Sequence, residues 1–223
     1  MLPALQLFGG LFPSGAFSHS FGLETYVADG RVQGADDLKR FARMYLHGVV
    51  GACEGVFFSL AHRAAAGGRP EDVGEYNRLL AAMKLTKESR EASLRLGNAL
   101  LRTAKDMLAK AGRESGFPFG LAEGEAHHAT VCGALMAALG VGPEDAAEGY
   151  VFAAVSGLLQ CGVKLIPVGG TDAQAALLDL HAEMRAVAAR ICRSEARDAV
   201  NFCPALDIAQ IAHESLPSRL YMT

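Results

Sequence analysis

Three consecutive residues, Ser18, His19 and Ser20, are the first place in this sequence where catalytic chemistry can be considered. A histidine beside a serine can activate the hydroxyl as a nucleophile, as in a hydrolase. The hydrolase motif Gly-x-Ser-x-Gly places its serine on a sharp turn between a strand and a helix. Gly22 follows Ser20 at the required distance, but Ser18 stands where the first glycine should be, and no strand is predicted before it. Turn and capping hydrogen bonds explain these serines better than catalysis does.

Motifs for metals, nucleotides and acid–base pairs are also missing from the sequence. Seven histidines and five cysteines form neither Cys-x-x-Cys nor His-Glu-x-x-His, and the pair His213 and Glu214 has no second histidine at the required spacing. The pair Gly169 and Gly170 lacks the lysine and the preceding strand of a phosphate-binding loop. Glu24 lies beside an aromatic turn, with no second carboxylate predicted near it. We therefore expect no cofactor, no metal site and no enzymatic activity.

Composition narrows the class of protein further. The chain has 223 residues, of which 51% are hydrophobic and 20% charged, and its formal net charge is -3. This charge lacks the basic excess of nucleic-acid-binding proteins. No apolar run reaches the roughly 18 residues of a membrane span, and no signal peptide is recognisable, so we expect a cytoplasmic protein. The odd number of widely spaced cysteines argues against a disulfide framework.

Hydrophobic periodicity predicts an all-α fold, with about eight to ten helices in one domain spanning residues 1–223. The stretch from Tyr150 to Val163 is apolar on all sides, which predicts a buried helix at the centre of the bundle. A capping-box pattern, Thr171 and Gln174, begins a helix whose apolar seam should pack inside the same chain. Helices are predicted over about residues 38–64, 70–85, 87–111, 122–139, 143–164 and 171–191.

The two ends of the chain are expected to behave differently from the bundle. Residues 1–22 are predicted to form an anchored bend, because Pro13 fixes φ, Gly15 can adopt positive φ, and the surrounding phenylalanines must be buried. Residues 213–223 are too few to bury enough surface to offset the entropy of being ordered. We expect this tail to be mobile in isolation or held by a neighbouring chain.

The N-terminal bend carries a resemblance to a known family. With Thr25 and Tyr26 it resembles the signature of the UreF-type urease accessory proteins, which reads Pro-x-Gly-small-aromatic-Ser-x-Ser-x-Gly-Leu-Glu. The resemblance continues, more weakly, through the middle of the chain and becomes specific again over residues 207–220, where Pro217 replaces the usual tyrosine. The residues that match the N-terminal signature are Pro13, Gly15, Ala16, Phe17, Ser18, Ser20, Gly22, Leu23 and Glu24.

The resemblance implies an all-α, dimeric scaffold without chemistry of its own. Such a protein bridges a UreD/UreH-type accessory protein and a UreG-type GTPase, and the assembly delivers nickel to apo-urease. Glu24 and Lys164 would contact or regulate the GTPase. Helix capping and dipole complementation are the alternative explanations, and for Lys164 they account for the residue equally well. The partner contacts that we expect are Glu24, Lys164, His213, Glu214, Ser218, Arg219, Leu220 and Tyr221. The N-terminal motif residues are Pro13, Gly15, Ser18, His19, Ser20 and Gly22.

Two alternatives from other functional classes stay open at this point. A nickel-binding metallochaperone would hold a stoichiometric metal ion tightly in the isolated chain. A serine hydrolase using Ser18 or Ser20 with His19 would turn over activated esters.

Overall fold

The computed structural model describes residues 2–9, 12, 19–113, 117, 120–217 and 219–221. Within these residues the fold is all-α and contains no β-strand, as the sequence predicted. The helices are α1 (Leu2–Phe8), α2 (Leu23–Ala28), α3 (Ala35–Tyr45), α4 (Gly55–Ala66), α5 (Pro70–Met83), α6 (Lys87–Lys110), α7 (His128–Ala138), α8 (Pro143–Leu165), α9 (Gly170–Asp179), α10 (His181–Ile191) and α11 (Pro204–His213). A π-helical segment (Leu46–Glu54) joins α3 to α4, so these three form one continuous helix and the described residues contain ten helices.

The buried centre of the bundle is the pair α4 and α7. Their backbones approach so closely that a Cβ atom on Gly133 would lie 2.1 Å from the carbonyl oxygen of Phe58. The ring of Phe58 stacks on Tyr150 of α8, with 4.4 Å between the ring centroids. Glycine at position 133 therefore allows the contact around which α8 and the other helices pack.

The helix α8 differs from its predicted all-round burial. Tyr150, Val151, Val155 and Leu158 face the core, whereas the Phe152 side chain is 45% exposed. Helices Ala35–Ala66 and Pro143–Leu165 are long and apolar enough to span a membrane by length and composition, but their apolar windows are 67% and 50% buried inside the bundle. Their apolar character is thus used largely for packing within this chain.

Two of the predicted helices differ clearly from the observed ones. The helix predicted from Ala122 begins only at His128, because Asn77 and Asn98 side chains bond the backbone of the preceding turn. The helix predicted from Thr171 begins at Gly170, with Gly169 and no side-chain hydrogen bond at its N-cap. It also breaks at Leu180 into α9 and α10.

Two further features of the fold concern the apolar seam and the C-terminal region. The seam predicted for α9 and α10 is buried and packs against the same chain, as expected. Its residues are Leu177, Leu180, Met184, Val187 and Ile191. Pro204 begins a further helix, α11, which packs against α2 and α6. This packing brings the two ends of the chain together.

Candidate functional site

The Glu24 carboxylate is the centre of the candidate site and holds the C-terminal tail. Its Oε1 accepts a hydrogen bond from the backbone N–H of Leu220 at 2.7 Å, and its Oε2 accepts one from that of Tyr221 at 3.2 Å. Hydrogen bonds to an ionised acceptor are stronger than those between neutral groups. In the isolated chain these tail residues therefore lie against the core of their own chain.

A buried histidine connects this carboxylate to a second one. The His213 ring is 1% exposed; its Nε2 lies 3.1 Å from Oε2 of Glu24, and its Nδ1 lies 2.9 Å from Oε2 of Glu88. The other carboxylate oxygen of Glu88 lies 3.4 Å from the guanidinium of Arg219. We call Glu24, Glu88 and His213 the tail clasp. It connects α2, α6 and α11 to the tail.

Close packing of α2 on α11 places Glu24 beside His213. Gly22 precedes α2 with φ +85°, a conformation that side-chain-bearing residues rarely adopt. A Cβ atom at this position would lie 3.3 Å from the Cβ of Ala209. The hydroxyl of Thr25 donates to the carbonyl of Ala209 at 2.8 Å. The glycine of the signature thus permits both the turn and the helix contact.

The end of α8 completes the site. Cys161 donates from its thiol to the carbonyl of His19 at 3.2 Å. Burial raises the pKa of Cys161 to about 11, while the charge of Lys164 and a hydrogen bond with Tyr221 act in the opposite direction. Lys164 lies in the last turn of α8, where its ammonium complements the helix dipole, and it is exposed. The cysteine therefore joins the N-terminal segment, α8 and the tail.

The remaining predicted residues are distributed as follows. Pro13, Gly15, Ser18 and Ser218 lie outside the described residues. Glu214 is exposed at the C-terminal end of α11. His19 and Ser20 are 1% and 0% exposed, so a substrate cannot reach the Ser20 hydroxyl without the fold opening. This burial argues against Ser20 as a nucleophile.

The comparison with known proteins decides the family. A family model described as UreF matches residues 32–181. A urease accessory protein UreF from Bacillus sp. (strain TB-90) is 31% identical over 225 residues, covering 100% of this chain and 99% of that protein. The proteins of the same name from Geobacillus kaustophilus and Paenarthrobacter aurescens are each 30% identical, covering 100% and 98% of this chain and 98% and 96% of their own lengths.

The chain belongs to the UreF family. The described part of its N-terminal motif, from His19 to Glu24, lies against α8 and α11. The predicted partner residues Glu24, His213, Leu220 and Tyr221 come together at one place in this UreF chain.

A second group of polar residues in the UreF chain lies in the interior. Lys84 donates to the carboxylate of Glu54, at the end of the π-helical segment, and its Nζ lies 3.3 Å from Oγ of Ser89. Burial would raise the pKa of Glu54, but the charge of Lys84 and its hydrogen bond hold that pKa below the ordinary value. The side chains of Lys84 and Glu54 are 6% and 12% exposed. This is a buried ion pair, which must stay paired to be tolerated.

The ion pair lines a cavity of about 200 Å³ between α1, the π-helical segment, α6, α7 and α8. Burial lowers the pKa of both His127 and His128 to about 4, so both imidazoles are neutral near pH 7. Burial also raises the pKa of Cys132, whose sulfur lies 3.4 Å from Nε2 of His128. Because thiol and imidazole are both neutral, they do not form the ion pair of a nucleophilic cysteine.

The part of the chain that the structure describes contains no preformed metal site. No three histidine, cysteine or acidic side chains there lie close enough to hold one ion. All five cysteines are free thiols, in agreement with the expected lack of disulfides.

Sequence reasoning missed Glu88 and the pair of Glu54 with Lys84. Glu88 stands among the charged residues at the start of α6 and has the sequence appearance of an exposed first-turn acid. Glu54 and Lys84 are separated by 30 residues and have no pattern in common. An isolated acidic residue within the apolar run from Val49 to Phe58 is the one signal that could have indicated a buried charge.

Proposed function

We propose that this UreF-family chain is a scaffold for urease maturation in the cytoplasm. It would bridge a UreD/UreH-type accessory protein and a UreG-type GTPase, with apo-urease as the final recipient and nickel as the cargo. The name shared by its relatives, urease accessory protein UreF, supports a role in urease maturation. The resemblance at both ends of the chain supports these particular partners.

One observation carries the proposal: residues from both specific ends of the resemblance meet at the tail clasp. Exposed apolar side chains are concentrated beside it in sequence. Of the eleven large hydrophobic side chains that are exposed in the described residues, five lie between residues 200 and 220. They are Val200, Phe202, Ile208, Ile211 and Leu220. Apolar surface of this kind favours binding to another protein.

The two partners would use different chemical groups of this region. Ile208 and Ile211 stand three residues apart on α11 and are 67% and 59% exposed, so they form one apolar stripe. With Leu220 they would anchor the UreD/UreH-type protein. Arg219, 48% exposed in its side chain and paired at 3.4 Å with Glu88 among the described residues, is available to a carboxylate of the GTPase. Lys164 would add a second cation.

Removing the tail is expected to prevent assembly without unfolding the bundle. A chain ending at His213 should lose both partners in pull-downs, because the proposed apolar anchor Leu220 and the cation Arg219 are gone. Arg219→Ala should keep the UreD/UreH-type protein and weaken recruitment of the GTPase by about tenfold or more, the cost of a charged hydrogen bond. Arg102→Ala, another exposed arginine, is the matched control. Wild-type retention of the GTPase by Arg219→Ala would refute the assignment.

We also propose that the protein forms a homodimer with a largely apolar contact. Support comes from the resemblance and from exposed apolar side chains on α1 and α8: Leu2, Leu5 and Phe152 are 79%, 58% and 45% exposed. Sedimentation velocity at micromolar concentration should show a dimer, weakened by Phe152→Ser. Leu85→Ser, a substitution at an exposed residue between α5 and α6, should leave it intact. A sole species of 23.4 kDa would contradict the proposal.

A further inference from the structure

The tail clasp has an unusual requirement for protons. A carboxylate oxygen can only accept a hydrogen bond, and each ring nitrogen of His213 faces one, at 2.9 Å from Glu88 and 3.1 Å from Glu24. Both nitrogens must therefore donate, and a histidine ring with two N–H groups is an imidazolium cation. The geometry thus corresponds to a doubly protonated His213 between two ionised carboxylates.

Charge balance supports the same protonation state. The side chains of Glu24 and Glu88 are 9% and 17% exposed, so their negative charges are poorly hydrated. Buried charges of one sign need compensation from charges of the other sign. The His213 imidazolium contacts both carboxylates, and Arg219 contacts only Glu88, from a half-exposed position. Loss of the imidazolium charge would leave Glu24 without a contacting cation among the described residues.

Two weak acids near His213 keep their protons over the range in which histidines titrate. Tyr221 contacts the clasp from the tail, and Cys161 lies behind it on α8. Burial raises the pKa of Tyr221 to about 12 and that of Cys161 to about 11. Lys164, farther along α8, acts on Cys161 only through its charge. Among the residue types present in the clasp, histidine is the one that changes charge between about pH 5 and 8.

We propose that the clasp is a proton-dependent switch that holds the C-terminal tail on the core when His213 is an imidazolium and loosens it when His213 is neutral. A neutral ring has one N–H. With the hydrogen on Nδ1, the Nε2 lone pair repels Glu24, the carboxylate that holds the backbone of Leu220 and Tyr221. With the hydrogen on Nε2, the ring repels Glu88, the carboxylate that holds Arg219. Either tautomer removes one of the two attachments that the clasp makes to the tail.

The switch connects to the proposed scaffold function through the same tail. A loosened tail could leave Glu24 and order itself against a partner, so partner binding would compete with the clasp for residues 219–221. This consequence rests on the function proposed above. The switch itself does not, because it concerns contacts within one chain.

A tryptophan reporter tests the switch in the isolated full-length protein. The chain contains no tryptophan, and Tyr221 is half-buried, so Tyr221→Trp supplies a single emitter that the held tail shields from solvent. Acrylamide quenching is measured from pH 5.5 to 8.5. We expect quenching to increase with pH. This increase should correspond to a rise of about tenfold in the ratio of released to held tail. Phe202→Trp, at an exposed position outside the clasp, should show no such increase.

Two second-site variants, each combined with the reporter, separate the switch from a purely structural contact. His213→Gln removes the titrating ring, so the tail should be loose at every pH and the increase should disappear. Glu88→Gln places an amide opposite Nδ1 that can either donate or accept a hydrogen bond. A neutral ring can therefore still donate a hydrogen bond to Glu24. The tail should then stay held at both ends of the pH range.

The same measurements can overturn the proposal. Equal quenching at pH 5.5 and 8.5 in the Tyr221→Trp protein would do so, as would an unchanged pH step after His213→Gln. If circular dichroism shows that His213→Gln does not fold, the Glu88→Gln variant provides the test instead. An increase in quenching with pH as large as that of the Tyr221→Trp protein would then refute the mechanism. None of these results depends on a partner, so their failure would leave the proposed scaffold function standing, and pull-downs test that function separately.

Discussion

Gly133→Ala is expected to destabilise the protein by more than about 3 kcal/mol, because it forces apart the two central helices. The added Cβ would lie 2.1 Å from the carbonyl oxygen of Phe58 and 3.1 Å from the backbone nitrogen of His62. Both neighbours are backbone atoms of α4, so no side chain can rotate away to make room. The clash can be relieved only if α4 or α7 shifts, and these two helices pack closely against each other.

A second helical glycine provides the control for this substitution. Gly157 lies in α8, and a methyl group added there would have no neighbouring atom within 4 Å outside its own helix backbone. Gly157→Ala should therefore be neutral or stabilising by up to about 1 kcal/mol through helix propensity. Urea unfolding followed by circular dichroism measures both variants. Similar midpoints for the two variants would show that the close approach of α4 and α7 is not needed for stability.

Lys84→Met is expected to cost about 3–5 kcal/mol, because it leaves the Glu54 carboxylate buried without a cation. The loss is a large fraction of the total stability of a domain, which is typically about 5–15 kcal/mol. Protonation of Glu54 would offset part of this cost at low pH, so the destabilisation should be smaller at pH 4.5 than at pH 7. Denaturant unfolding at both pH values measures the difference.

Two comparisons identify the buried pair as the cause. Lys105→Met removes the partner of Glu123 from a pair whose side chains are 38% and 55% exposed, so it should cost less than about 1 kcal/mol. Replacing both buried partners, as Glu54→Leu with Lys84→Met, should recover most of the stability, since no unpaired charge remains. Equal losses for Lys84→Met and Lys105→Met would contradict the argument.

Local signals in the sequence are enough to predict most of the helices. Pro70 and Pro143 stand at the first positions of α5 and α8, as their chemistry requires, and the predicted helix from Lys87 ends within one residue of its observed limit. The apolar seam of α9 and α10 is also predicted correctly, since 3-4 spacing reports which face is buried. These features depend on residues close together in the sequence.

Features that depend on distant residues could not be predicted. The predicted start of α7 lies six residues too early because Asn77 and Asn98, on other helices, satisfy the backbone of the preceding turn. The π-helical segment carries an ordinary apolar pattern, which predicts an α-helix instead. At the candidate site, the resemblance indicates Glu24 and His213, but their contact joins residues 189 positions apart, and periodicity carries no information over that distance.

The contact between Glu24 and the tail has a consequence for the synthesis of the protein. The carboxylate and the backbone of Leu220 are separated by 196 residues, nearly the whole chain. Proteins are made from the N-terminus, and the earlier helices can pack before the last residues are translated. A nascent or prematurely terminated chain can therefore hold a folded bundle but lacks the tail that closes this contact. Only a chain translated as far as Leu220 carries both halves, so packing of the bundle and closure of this contact are separate steps during synthesis.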